Sequence, residues 1–289
     1  MTSLTVIPLV SKLASNVIRI LGCNPGPMTL QGTNTYLVGK GHRRVLIDSG
    51  EAGTAQVYTE LLSEVLDSEG ATIEHMLITH WHHDHIGGVS SIQKLLKSKN
   101  SKPATVWKLR RCPRDDQISE QEKSVKWQYL VHDQWIEVEG AKLQVKHSPG
   151  HTTDHYCLFM PKEDAIFSGD CILGEGTAVF EDLHDYIISL RNMLQMKPKL
   201  IYPGHGPIIE NPLSRIQYYI EHRQKREEEI LKTLQEKNEP MSEMEIVKNV
   251  YKTTPEHLWP AAASNVGHHL KKLHKEGRIK GQNGSWTSS

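Results

Sequence analysis

The sequence lacks the features that mark several large classes of protein. Its 289 residues contain four cysteines, which are scattered and form no C-x-x-C pair. This distribution argues against a disulfide framework and against a zinc site built from thiolates, and it fits a reducing compartment. No apolar run approaches the roughly 20 residues that a membrane-spanning helix needs. We therefore expect a protein with no membrane segment.

Net charge is absent from the chain as a whole but not from its parts. Lys+Arg and Asp+Glu both number 34, so the total favours neither the presence nor the absence of a nucleic-acid partner. Residues 214–289, however, hold 13 basic against 10 acidic side chains. The stretch HHLKKLHKEGRIK is strongly basic, as expected of a nucleic-acid contact, although a solvated helix face is the alternative. Its candidate contact residues are Lys271, Lys272, Lys275 and Lys280.

Acidic side chains are also missing from the N-terminus, where the first one is Asp48. A basic, serine-containing and acid-poor start is typical of a transit peptide for the mitochondrial matrix. However, the first 21 residues contain only two basic side chains, Lys12 and Arg19, and NVIRILG reads as the first strand of the fold. The N-terminus therefore leaves two locations open, the mitochondrial matrix and the cytoplasm.

The first two hundred residues alternate short β-branched runs with helical stretches, which predicts a layered α/β domain with mixed sheets. The composition then changes to a long charged helix, a capping box formed by Ser242 and Glu245, a further helix and a hairpin turn at Asn283-Gly284. We predict a main domain over residues 1–213. Residues 214–289 are predicted to form a linker helix and a winged-helix-like module.

The segment THWHHDHIGG places four histidines and an aspartate within ten residues. His80 and His82 are two apart in an extended segment, so their side chains point the same way and can bind one metal ion together. Asp84 and His85 lie where the chain turns into the next helix, which suits a second ion. Three further candidate ligands each follow an apolar strand and lie beside a glycine, at the edge where open sheets bind ligands: His151, Asp170 and His205.

This order of residues, H-x-H-x-D-H followed by separate His, Asp and His, resembles the metallo-β-lactamase superfamily over roughly residues 16–210. The resemblance implies an αββα sandwich. It also implies that Asp48, in the segment LIDSG, orients metal ligands without binding the metal itself. It also implies two ligand sets bridged by Asp170: His80, His82 and His151 for one ion, and Asp84, His85 and His205 for the other. Nitrogen and oxygen ligands suit Zn²⁺, with Mn²⁺ or Fe also compatible by geometry.

The resemblance also suggests roles in catalysis. Two ions about 3.5–4 Å apart would lower the pKa of a shared water and clamp the attacking and leaving oxygens. Asp84 is then expected to bind metal and to orient the bridging hydroxide. His155 is predicted to contact a scissile phosphate or to protonate the leaving oxygen, with a position in the pocket wall as the alternative. His83 occupies a position that the motif leaves free, and we expect it to be solvated.

Two features narrow the choice of hydrolase. The loop GCNPGPMTLQGTNTYLVG would lie beside the metals, and a lactamase or small thioesterase would not need the C-terminal module. These segments, together with FSGDCILGEGT and IYPGHGP, resemble an animal endoribonuclease of the superfamily. That resemblance implies two zinc ions, single-stranded RNA as substrate and residence in the mitochondrial matrix.

Other functions remain as alternatives at this stage. One is a thioester hydrolase of the hydroxyacylglutathione hydrolase type, which shares the metal motif. A non-enzymatic binding module is disfavoured, because such a protein is expected to lose ligands and this chain retains them all. The sequence does not specify an oligomeric state.

Overall fold

The computed structural model describes residues 4–112, 125–237, 239–282 and 284–289. Asn283 of the predicted hairpin turn lies outside these described residues. Within them, two sheets face each other and carry helices on their outer sides. Every helix in the described ranges is too short or too polar to span a lipid bilayer.

The first sheet contains seven strands that follow one another in chain order. They are β1 Val10–Ala14, β2 Val17–Leu21, β3 Asn34–Val38, β4 Arg43–Ile47, β5 Thr72–Leu77, β6 Thr105–Lys108 and β7 Trp127–Tyr129. The first four strands pair antiparallel, whereas the steps from β4 to β7 are parallel. Parallel steps need crossover connections, and helices between β4 and β6 supply two of them.

The second sheet contains five strands. They are β8 Trp135–Val138, β9 Ala141–His147, β10 Tyr156–Met160, β11 Ala165–Gly169 and β12 Leu200–Pro203. Their order across the sheet also follows the chain, with β8 and β12 at the two edges. The β11–β12 step is parallel, so the chain crosses over between these strands.

Seven helices cover the sheets and form the C-terminal part of the described chain. They are α1 Ala55–Ser68, α2 His83–Ile86, α3 Val89–Ser98, α4 Leu183–Gln195, α5 Pro212–Lys237, α6 Glu243–Val250 and α7 Trp259–Lys275. Leu62 of α1 and Ile92 of α3 pack on the first sheet. Leu190 of α4 and Ile220 of α5 pack on the second, and a third core with Tyr36 lies between the sheets. The predicted αββα sandwich is therefore confirmed.

The C-terminal module has its own small core. Ile230 and Leu234, from the second half of α5, pack there against α6, α7 and a terminal hairpin. The hairpin strands are β13 Ile279–Gln282 and β14 Ser285–Ser288. The predicted capping box of Ser242 and Glu245 starts α6. Because α5 runs on from residue 212 without a break, one helix belongs to both the sandwich core and the module core.

The sequence analysis missed four strands, β1, β6, β7 and β10, and two of them show different physical reasons. β1, with sequence VSKLA, is an edge strand without a fully buried residue, so its apolar pattern is weak. β10, with sequence YCLFM, is buried on both faces, so its residues do not alternate between apolar and polar. Periodicity identifies half-buried strands and misses both of these cases.

Candidate metal centre

The ends of four strands bring the candidate ligands to one edge of the sandwich. The segment after β5 carries His80 and His82, and α2 carries Asp84 and His85. The other three ligands follow β9, β11 and β12: His151, Asp170 and His205. Together the seven side chains form two groups, and the ligand atoms within each group lie within 4.8 Å of one another.

In the first group, three imidazole nitrogens converge. Nε2 of His80 lies 2.9 Å from Nδ1 of His82 and 3.2 Å from Nε2 of His151. The remaining pair, His82 Nδ1 and His151 Nε2, is 3.1 Å apart. Nitrogens bound at 2.0–2.1 Å to a tetrahedral zinc ion are about 3.3 Å apart. The spacing of these nitrogens is therefore close to that of three ligands of one ion.

The second group has the same dimensions. Oδ2 of Asp84 lies 3.1 Å from Nε2 of His85 and 3.2 Å from Nε2 of His205. The two imidazole nitrogens are 3.3 Å apart. One carboxylate and two imidazoles at these distances can hold a second divalent ion.

Asp170 lies between the two groups. Its Oδ1 is 3.5 Å from Nε2 of His85, and its Oδ2 is 3.7 Å from Nε2 of His151. Oδ1 is buried and has no hydrogen-bond partner in the described part of the chain. The backbone makes room for this carboxylate, since a Cβ at Gly204 would collide with Oδ1. A buried carboxylate oxygen without a hydrogen bond is costly, and a metal ion would satisfy it, so these residues fit a shared metal site.

The packing also sets the charges of the ligands. Burial lowers the pKa of His82 to about 3. Burial opposes the charged form of His85 as well, but Asp84 and Asp170 outweigh it and raise the pKa of His85 well above its usual value. The same carboxylates raise the pKa of His205 to about 9 against the effect of burial. An ion that binds the second group must displace these protons, so its affinity should fall as the pH falls.

Asp48 supports ligands of both groups. Its Oδ2 lies 2.8 Å from Nδ1 of His85, and both of its oxygens are 3.0 Å from the hydroxyl of Thr79. That hydroxyl is also 3.0 Å from Nδ1 of His80. Asp48 has φ 60°, a left-handed conformation that is uncommon without glycine and is found at functional sites. The geometry fits the supporting role inferred for Asp48, and Thr79 is a supporting residue that the sequence analysis missed.

A second residue that the sequence analysis missed is Thr33. Its hydroxyl donates a 2.8 Å hydrogen bond to Oδ2 of Asp84 and accepts one of 3.1 Å from the side-chain amide of Asn24. Both residues belong to the Pro/Gly-rich segment that the sequence analysis expected beside the metals. The sequence predicted that this segment lies beside the metals, but Thr33 itself could be identified only from its contact with Asp84.

The structure argues against a catalytic role for His155 and favours the alternative position in the pocket wall. The ring is fully buried, and its Nε2 accepts a 3.1 Å hydrogen bond from the backbone N–H of Asp170. Its Nδ1 lies 3.2 Å from the carbonyl oxygen of Ser148. Burial, with the nearby His151, holds the pKa of His155 well below its usual value. With both nitrogens engaged, the ring of His155 positions the backbone of Asp170.

The four candidate RNA-binding lysines differ in their surroundings. Lys271 and Lys280 are exposed, and half of the Lys275 side chain is exposed. Lys272 is 11% exposed, and its Nζ lies 2.7 Å from Oε2 of Glu227, a buried carboxylate. If Lys272 moved away to bind a phosphate, the buried charge of Glu227 would lose one of its partners. The ion pair with Glu227 therefore argues against an RNA contact for Lys272.

Two family models match the chain. One, described as the metallo-beta-lactamase superfamily, matches residues 28–205. The other, described as the beta-lactamase associated winged helix domain, matches residues 242–286. The first match contains all seven candidate ligands, and the second contains α6, α7, β13 and the first half of β14.

Curated relatives and solved structures also resemble the chain. It is 53% identical to the beta-lactamase-like protein 2 homolog of Drosophila melanogaster, over 96% of this chain and 94% of the relative. It is 39% identical to the atrochrysone carboxyl ACP thioesterase of Aspergillus fumigatus, over 79% of this chain and 68% of the relative. A beta-lactamase domain protein from Burkholderia ambifaria matches with a TM-score of 0.78 and 20% identity, covering 97% of this chain and 93% of that one. At that identity the solved structure shows the fold alone.

Proposed function

The chain belongs to the metallo-beta-lactamase superfamily, and from this premise we propose that it is an endoribonuclease that hydrolyses phosphodiester bonds of single-stranded RNA. The observation that carries the proposal is the linking of two ligand groups through Asp170. A pair of adjacent ions suits the displacement at a phosphodiester, where charge develops on both the attacking and the leaving oxygen. We propose two Zn²⁺ ions per chain, with Mn²⁺ or Fe as alternatives.

The side chains have separate tasks in this reaction. Two divalent ions, when bound, would lower the pKa of a water molecule and neutralise charge on the phosphodiester. Asp84 is the ligand carboxylate that a substrate can approach, because its side chain is 18% exposed whereas Asp170 is more deeply buried. Thr33 holds Asp84 in a fixed orientation, and His155 does the same for the backbone of Asp170. Asp48 fixes the orientation of His85.

We propose that RNA also contacts the C-terminal module through Lys271, Lys275 and Lys280. All three lie at the basic end of α7 or on the following strand β13. Lys275 Nζ lies 3.1 Å from Asp185, but both side chains are well exposed, so this ion pair is weak and a phosphate can replace it. The physical basis of the contact is the positive potential that exposed lysines create for a phosphate backbone.

A thioester hydrolase is the second candidate, and one specific observation favours it. A relative 39% identical to this chain carries the name of an ACP thioesterase. The same ligand groups can polarise a thioester carbonyl, so the metal centre alone does not distinguish the two reactions.

The test is a direct comparison of substrates on the metal-loaded protein. An unstructured RNA, lactoylglutathione and an acyl-carrier-protein thioester are incubated with the chain, each with and without a chelator. We expect chelator-sensitive cleavage of the RNA and no comparable turnover of either thioester. If a thioester is hydrolysed and the RNA is not cleaved, the endoribonuclease proposal is overturned in favour of the second candidate.

We propose residence in the mitochondrial matrix, with the cytoplasm as the alternative. The acid-poor start of the sequence supports this proposal. Protease protection of the full chain in purified mitoplasts, compared with the cytosolic fraction, tests it.

A further inference from the structure

A cavity of about 320 Å³ lies between the sandwich and the C-terminal module. Its polar and aromatic lining comes from three segments: Thr177 and Phe180 in the loop after β11, Arg223 in α5, and Ser264, Asn265 and His268 in α7. Small-molecule sites begin at about 300 Å³, so the cavity suits a group the size of one nucleotide. This cavity is called the interdomain pocket below.

The interdomain pocket shares a wall with the metal centre. Val179 lines the pocket, and its carbonyl oxygen lies 2.8 Å from Nδ1 of the candidate ligand His151. The neighbouring carbonyl, that of Ala178, accepts a 3.1 Å hydrogen bond from Nη2 of Arg223. One short segment therefore orients a metal ligand and forms part of the pocket, so the pocket lies next to the metal centre.

The lining has the chemistry that nucleobases require. Oδ1 of Asn265 is buried and has no hydrogen-bond partner within the described ranges, so an incoming N–H donor would satisfy it. The guanidinium of Arg223 lies 4.9 Å over the Phe180 ring, and the His268 ring meets the same ring edge-on at 5.3 Å. Unpaired bases in single-stranded RNA are bound by flat aromatic or guanidinium groups and by hydrogen bonds to their edges.

We propose that the interdomain pocket binds one nucleotide of the RNA substrate, adjacent to the scissile phosphate, with the amide of Asn265 on the base edge. This inference rests on the endoribonuclease proposal and assigns its substrate contact to the first half of α7, on the same helix as the exposed lysines. The winged-helix module thereby completes the active site. The planar and amide groups favour a nucleotide over the flexible arm of an acyl thioester.

The experiment measures binding of an unstructured oligoribonucleotide of about ten residues by calorimetry. The full-length chain, supplied with Zn²⁺, carries Asp84→Ala so that the RNA stays intact, and all variants are compared in this same background. Adding Asn265→Leu replaces the amide with an apolar group of similar size, and we expect a roughly tenfold weaker affinity. Asn192→Leu is the matched control, because Asn192 is exposed on α4 outside the pocket. The affinity of this variant for the oligoribonucleotide should not change.

A second variant, Ser264→Phe, keeps the pocket testable if Asn265→Leu fails to fold. Ser264 is exposed at the pocket, so Ser264→Phe fills the cavity without disturbing a buried core and should weaken RNA binding at least as much. Circular dichroism checks that both variants fold. In otherwise unsubstituted enzyme, each should lower kcat/KM for RNA mainly by raising KM.

The outcomes separate the two proposals. Unchanged affinity in folded Asn265→Leu and Ser264→Phe proteins overturns the pocket assignment while RNA cleavage by the parent enzyme stands. An inability of the parent enzyme to cleave or bind RNA overturns both proposals. If the two variants impair thioester hydrolysis and leave RNA binding intact, the pocket holds an acyl thioester arm and the nucleotide assignment is overturned.

Discussion

Single residues around the metal centre act either as ligands or as supports that fix a ligand's orientation. His151 illustrates a supported ligand, since its Nδ1 lies 2.8 Å from the carbonyl oxygen of Val179. Its Nε2 then points to the other two ligands of its group, His80 and His82. Such supports restrict each imidazole to one tautomer and one direction, and their loss typically costs 10- to 100-fold in metal affinity or activity.

At this scale the sharpest prediction is Asp84→Ala. The change removes a ligand of one ion and the most accessible carboxylate of the centre, so kcat for RNA should fall by several orders of magnitude. Metal content should decline toward one ion per chain, while the circular dichroism spectrum stays unchanged. Metal analysis and steady-state kinetics check the prediction, and near-normal turnover would refute the ligand role of Asp84.

His83→Ala should be nearly silent. His83 is exposed at the start of α2 and belongs to neither ligand group. An exposed side chain away from special contacts contributes within roughly ±0.5 kcal/mol to the free energy of unfolding. The measurement compares the metal content of His83→Ala with that of His82→Ala. An equal loss of metal in both variants would show that the ligands are assigned incorrectly.

Among the elements, α7 combines three environments along 17 residues. Its first turns line the interdomain pocket, its middle is buried in the module core, and its last turn is basic. Lys272, on the inner side, ties the helix to Glu227 of α5, while Lys271 lies on the outside. Neighbouring lysines therefore have different surroundings, because successive side chains of a helix point in different directions.

The exposed lysines yield a prediction about salt dependence. Changing Lys271, Lys275 and Lys280 to Ala together should weaken RNA binding and leave the metal content unchanged. Each phosphate contact on a single strand contributes about −0.7 to the slope of log K against log salt, so the slope should flatten by about 2.

The measurement is a salt titration of RNA binding. A matched control replaces three exposed lysines of the sandwich, Lys40, Lys97 and Lys162, with Ala and should retain the original slope. If both triple variants share the wild-type slope, the basic end of α7 is a solvated face and RNA is held elsewhere.

His269 yields a prediction about pH. Both ring nitrogens are buried and have no hydrogen-bond partner among the described residues, and burial, aided by Arg223 and Lys272, lowers the pKa of His269 to about 3. In the unfolded chain the pKa is near 6.5, so below that pH the unfolded state binds more protons. The stabilisation from a neutral His269 is therefore present above about pH 6.5 and is lost as the pH falls toward 3.

The size of the effect follows from these two values. Between pH 7 and pH 5 the wild type should lose about 2 kcal/mol more unfolding free energy than His269→Leu. Urea unfolding at the two pH values measures the difference, and His257→Leu, at an exposed histidine, is the control. Parallel pH dependence of the wild type and His269→Leu would contradict the prediction.

For the molecule as a whole, metal ions are expected to link parts that are distant in the chain. The seven ligands extend from residue 80 to residue 205 and come from both sheets. Ions bound to the folded state alone stabilise it, by about 2.7 kcal/mol at a free concentration one hundred times the dissociation constant. Removing the ions should therefore destabilise the whole sandwich and stop hydrolysis.

Chelation tests this prediction. Dialysis against a chelator should abolish RNA cleavage and lower Tm by several degrees, and added Zn²⁺ should restore both. Asp170→Ala removes the carboxylate shared by the two groups, so its Tm should respond much less to added Zn²⁺. An equal Tm response to Zn²⁺ in this variant would contradict the prediction, because it would place metal binding elsewhere.

The family and the αββα layers could be predicted because their signals are local. Alternation and helical spacing mark most strands and helices, and the ligands stand at strand ends in a characteristic order, from His80 to His205. The layers follow from burying the apolar face of each element. These features depend on residues that are close in sequence, so the sequence was sufficient for them.

The tertiary structure was needed wherever a side chain's role depends on a distant partner. His155 lies four residues after the ligand His151, but only the structure shows its ring against the backbone of Asp170, 15 residues away. Lys272 belongs to a basic stretch of sequence, but only the structure shows its ion pair with Glu227, 45 residues away. The interdomain pocket brings Phe180 close to Asn265, 85 residues away. No local sequence pattern predicts this proximity, because the packing of the chain determines which side chains become neighbours.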